Sequence, residues 1–141
     1  QIKINSGEIE RANDYQSAQS ILGMNGLYVQ IWQPIMQDNE LAAIYLKGVN
    51  EESMSKVEEL RFCTYINTFL ALIEALINQN EAGVGFEELN EGVDSTFALM
   101  NPYLSKILNT KVGKKWLTEE APSLFTEEFL GALTEYGPVK V

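Results

Sequence analysis

Apolar positions along this chain recur mainly at intervals of three and four residues, the signature of amphipathic helices. Strict alternation is scarce, and β-branched runs are nearly absent. A first helix is expected from near Gly7, where Asn5 and Glu8 have capping-box spacing. Ile9, Ala12, Tyr15, Ala18 and Leu22 form one stripe on it, and Ile21, Met24, Tyr28, Ile31 and Ile35 a second. Gly23 and Gly26 weaken this helix or mark a close approach, and Pro34 is expected to end or kink it. A short helix follows, capped by Asp38 or Asn39, with Gly48 at its left-handed C-terminal position.

The clearest element spans about 55–80. Ser55 and Glu58 make a capping box, and apolar side chains then run almost all round the helix. Such a helix is expected at the centre, packed by several neighbours. A fourth helix, about 86–109, is expected to kink at Pro102, because the residue before a proline is pushed away from helical geometry. Val112–Glu120 carries Trp116 and Leu117, and Pro122 separates it from a last helix at about 126–136. Phe129, Leu130 and Leu133 point inward there, and Gly137-Pro138 is expected to end the ordered chain. The fold predicted is all-α, a compact irregular bundle of five to six helices around the central one. Residues 1–141 are read as a single domain.

Composition narrows the chemistry. The chain has no His, which excludes His-based acid/base catalysis, Ser-His-Asp triads and His-ligated metals. One Cys excludes an internal disulfide. The net charge is -10, and residues 51–100 hold ten acidic groups against two basic ones. No basic stripe offers counterion release, so nucleic-acid binding is not expected. No uninterrupted run of about 18 apolar residues is present, so membrane insertion by this segment is not expected either. The start at Gln1 suggests an upstream segment, for which an anchor or a processed leader would serve.

Few residues stand out as candidate chemistry. Glu74 lies in the most apolar helix, on a face with Thr64, Asn67, Ala71 and Asn78. It reads as a pocket carboxylate, as a partner for Arg61 or another cation, or as part of a narrow solvent-facing stripe. Glu74, Asn67 and Arg61 are thus the candidate ligand-binding residues; no catalytic or metal set emerges, and no cofactor is implied. Glu87, Glu91 and Asp94 share a helix face and read as a solvated acidic surface rather than a Ca²⁺ site. Cys63, in mid-helix, reads as a small core residue. Lys106, Lys111, Lys114 and Lys115 are the one basic cluster, suited to an acidic partner or to a second copy's acidic middle. Trp32, Trp116, Phe125 and Phe129 either frame a pocket or lock helix ends onto the core.

The segments DNELAAIYLKGV, ELRFCTYINTFLALIEALINQNEAG and KVGKKWLTEEAPSLFTEEFLGAL follow one another in the chain. Their order resembles a loose group of uncharacterised bacterial helical proteins over residues 38–133. The matching positions are Asn39, Glu40, Leu41, Tyr45 and Gly48; then Arg61, Phe62, Phe69, Glu74 and Gly83; then Gly113, Trp116, Phe125 and Phe129. Tyr45 stands where the group usually has Trp. The resemblance implies a short helical domain behind an N-terminal hydrophobic anchor, and no activity comes with it.

The leading expectation is a non-enzymatic helical module, tethered through an absent N-terminal segment, either cytoplasmic or at a membrane. It would work by contact with a protein partner or as a homodimer, with the first helix as contact element. One alternative is a small-molecule sensor with a pocket beside the central helix. Another is an acidic mimic of nucleic-acid charge.

Overall fold

The computed structural model describes Gly26 and residues 29–81 and 93–139. The cap at Asn5 and Glu8, the stripe from Ile9 to Leu22, Gly23, and Glu87 and Glu91 lie outside the described residues. Every regular element among the described residues is a helix. They are α1 (29–37), α2 (Asn39–Val49), α3 (Lys56–Glu81), α4 (Val93–Leu108), α5 (Lys111–Glu119), α6 (Ala121–Leu124) and α7 (Glu127–Tyr136). The all-α bundle expected from the periodicity is therefore the fold.

Caps delimit several helices. The Asp38 carboxylate accepts from the Glu40 and Leu41 amides at 3.0 and 3.2 Å and starts α2. At α3 both arms of the capping box form: Ser55 N–H donates to Glu58 at 2.9 Å, and Glu58 N–H donates to Ser55 Oγ at 3.1 Å. Lys47 Nζ donates to the same Glu58 carboxylate at 2.7 Å and ties α2 to α3. Lys47 and the Ser55 amide hold the Glu58 carboxyl below its ordinary range.

The core lies between α3 and α4. From α3 come Phe62, Ile66, Phe69, Leu70 and Ile73, and from α4 Phe97, Met100, Leu104 and Leu108, all essentially inaccessible. Each such side chain stabilises the fold by roughly 1.5–3 kcal/mol relative to exposure. α3 packs on α2, α4 and α5, while α4 packs on α2, α3, α5 and α7. The centre expected for one helix is thus shared by two. Within Lys56–Asn78 of α3 an 18-residue window has a mean hydropathy of 1.5, and by length and composition alone the stretch could cross a membrane. Thr, Asn and charged residues interrupt the apolar run while the average over the stretch stays high. In this fold the stretch is the packing partner of three helices.

Two chains of aromatic rings clamp the outer helices. Trp32 of α1 meets Tyr45 and Tyr103 edge-on at 5.9 and 5.6 Å, and Tyr45 continues to Tyr65 at 5.6 Å. Tyr65 Oη donates to the Ile31 carbonyl at 3.3 Å, and burial raises its phenol pKa. On the other side Trp116, Phe125, Phe129 and Phe97 form a second series. Trp116, Phe125 and Phe129 are buried and lock helices to the core, while Trp116 and Phe129 also line surface grooves.

Several local expectations are corrected. α1 runs through Pro34, with the Asp38 amide donating to the Pro34 carbonyl at 3.1 Å. α4 likewise runs through Pro102. Each proline deprives the carbonyl four residues back, Gln30 or Ala98, and both of those residues are exposed to water. Among the described residues nothing lies within 4 Å of a Cβ on Gly26. Gly48 lies inside α2, where a Cβ would strike the Phe62 ring. The left-handed residue is instead Glu51, with φ 55°. Pro122 fits the first turn of the extra helix α6 rather than breaking the chain. Beyond Gly137-Pro138, Val139 is still buried.

Candidate functional site

The three residues singled out by pattern sit on α3 but not together. Arg61 and Glu74 are thirteen residues apart, about 20 Å along a helix. Arg61 faces α2. Its guanidinium reaches Glu40 at 2.8 Å and the capping Asp38 at 3.3 Å. It therefore ties the start of α2 to α3, although it also edges an apolar groove of about 310 Å³ lined by Pro34, Leu41 and Phe69. Arg61→Gln is expected to lower stability by at most about 1 kcal/mol, because the pairs are partly solvated. Urea denaturation should show the difference at low salt and lose most of it at about 1 M salt.

Asn67 lines a different groove, of about 510 Å³, between α3, α5 and α6. Lys56, Glu59, Lys115, Glu119 and Glu120 contribute charges of both signs, over Cys63 and Trp116. Burial, then the Glu59 and Glu120 charges, push the Cys63 thiol up to about 11. At neutral pH that group is a thiol and a poor nucleophile. Glu74 lines a third groove, of about 590 Å³, between α3, α4 and α7. Thr126 Oγ1 donates to its carboxylate at 3.4 Å. Asp94, Glu128 and Glu135 stand on the same walls. Glu135 and, more weakly, Asp94 raise the Tyr136 phenol pKa. No group of three acidic or Cys side chains among the described residues is arranged to hold a metal ion. Lys106, Lys111, Lys114 and Lys115 are all exposed, near the junction of α4 and α5.

What the three grooves share is the outer face of α3. Val57, Leu60, Thr64, Thr68, Ala71, Ala75 and Asn78 are all exposed, and none is charged. Val57 and Leu60 each keep 66% of their surface accessible. Their spacing of three or four residues places them on one line, about 31 Å long. Leu60 and Thr64 border two of the grooves at once. From sequence, Thr64, Ala71 and Asn78 of this line read as neighbours of Glu74, and Leu60 as one of the helix's apolar residues. The signal that could have found the rest is the run of uncharged positions at helical spacing in an acidic chain.

No family model, curated protein or solved structure matches the chain. The class defined by fold and site is a helical bundle with an uncharged helix face open to solvent.

Proposed function

We propose that the chain is a non-enzymatic helical interaction module that makes protein contact through the outer face of α3. The observation that carries this reading is the seven-position uncharged line on α3. Designed soluble surfaces aim for about 25–35% charged residues, and interface centres are depleted in charge. Exposed Val57 and Leu60, flanked by grooves on both sides, supply the apolar anchors such contacts use. Arg61, Asn67 and Glu74 line three separate grooves and do not converge on one pocket, which favours the contact reading over the small-molecule sensor. The contact element proposed here is α3 rather than the first helix, most of which lies outside the described residues.

A photo-crosslinking residue placed at Thr68 in native cells tests this reading, with the exposed Glu127 of α7 as control position. Protein adducts are expected at position 68 and not at 127. No adducts at 68, or equal adducts at both positions, would overturn the proposal.

A further inference from the structure

We infer that the partner of the α3 face is the same face of a second copy, running antiparallel about Thr68; this rests on the interaction reading above. Bulk along the line is graded. Val57 and Leu60 stand at one end, Ala71, Ala75 and Asn78 at the other, with Thr64 and Thr68 between. Antiparallel pairing sets Leu60 against Ala75, Thr64 against Ala71, and Thr68 near its own counterpart. Each larger side chain then meets a smaller one, and the helix axes stay evenly spaced. Parallel pairing would set Leu60 on Leu60 and Ala75 on Ala75, forcing one end apart and leaving a gap at the other.

Charge along one edge of the line points the same way. Lys56 and Glu74 are eighteen residues apart, five turns, and so share that edge at its opposite ends. Asn67 lies between them on the same side. Reversing a second copy brings each Lys56 toward the end that carries the other copy's Glu74, and the two Asn67 amides toward each other. A parallel copy would instead set this edge against the partner's opposite edge, which carries Arg61, and Lys56 would face a like charge. Arg61 lies on the other edge and is already held by Asp38 and Glu40. Each copy carries a net charge of -10, and an uncharged surface such as this one lowers the repulsion that two copies meet on close approach.

The test uses the full chain with Cys63→Ser, which removes its one thiol, and single cysteines placed at 60, 68 or 75. The expected result is a two-chain species by light scattering across a dilution series. Thr68→Cys should link to itself on oxidation with diamide. Leu60→Cys and Ala75→Cys should stay largely unlinked alone and link when mixed. Ala71→Glu should abolish the two-chain species while leaving helical content unchanged, and its melting should no longer depend on concentration. A chain that stays monomeric throughout would overturn the inference, as would self-linking of Leu60→Cys and Ala75→Cys, the parallel pattern. With a monomeric chain, adducts of other proteins at position 68 would leave the interaction reading standing. Absence of any adduct there would end both.

Discussion

Gly48→Ala is expected to destabilise the protein by about 2 kcal/mol, although alanine is the better helix former. Gly48 lies inside α2, where the change should gain roughly 1 kcal/mol from propensity alone. The added Cβ, however, would fall on the Phe62 ring. That ring is 1% exposed and cannot swing into solvent. Overpacking of this kind costs about 1–3 kcal/mol, occasionally more, so the clash outweighs the propensity gain. A fall in Tm of roughly 6–10 °C should follow, read by circular dichroism. Gly131→Ala is the control, since its Cβ would meet nothing within 4 Å on exposed α7. It should stabilise by about 0.5–1 kcal/mol. Phe62→Leu should make the Gly48→Ala change cheaper, so the double variant should lose about 1 kcal/mol less than the two singles together. Additive losses would mean that Phe62 is not what Gly48 accommodates.

The same glycine shows what a sequence can and cannot display. Its place near the end of a helical pattern was legible, and that suggested a left-handed C-terminal residue. The actual reason is a ring fourteen residues along the chain packed against it, which no local pattern encodes. Local chemistry was read well. Ser55 and Glu58 form the box that their spacing announced, Asp38 caps α2, and α5 and α7 begin and end within a residue of their periodic stretches. Features set by tertiary context were not. Pro34 reads as an end or a kink and Pro102 as a kink; each helix continues past its proline, and the deprived carbonyl belongs to an exposed residue. Val139 reads as trailing chain, yet it is buried.

The candidate site divides along the same line. That Arg61 and Glu74 could not pair within one helix followed from their separation. That Arg61 would be taken up by Asp38 and Glu40 did not, since it depends on how α2 crosses α3. An almost wholly apolar α3 suggested burial on every side, but its neighbours cover only part of its circumference. The face left open is made of the small and uncharged residues that a helix needs for close contact with another. The hydropathy of α3 therefore records two demands, a core on one side and an uncharged surface on the other.

Thr110→Val should cost about 3 kcal/mol, the largest loss expected from any change of a single polar group here. Nothing in the local pattern marked this residue, because Gly113 rather than Glu or Gln stands three positions on. Thr110 is 4% exposed. Its hydroxyl accepts from the Gly113 amide at 2.9 Å, which starts α5, and donates to the Ile107 carbonyl at 2.9 Å, near the end of α4. One side chain thus closes two helix ends across a two-residue joint. Valine keeps the shape and removes both bonds. Loss of such a cap costs about 1–2 kcal/mol, and a buried amide left without a partner adds about 1–3 kcal/mol. Water cannot readily take over, since Gly113 is itself buried. Glu51 still accepts from the Lys111 amide at 2.7 Å, so α5 should loosen at its first turn rather than detach. Thr110→Ser keeps the hydroxyl and should recover most of the loss. Thermal melts should rank wild type, Ser and Val in that order, with Trp116 emission in the Val variant reporting the loosened α5. A Val variant as stable as wild type would show that the Thr110 hydroxyl bonds are not what joins α4 to α5.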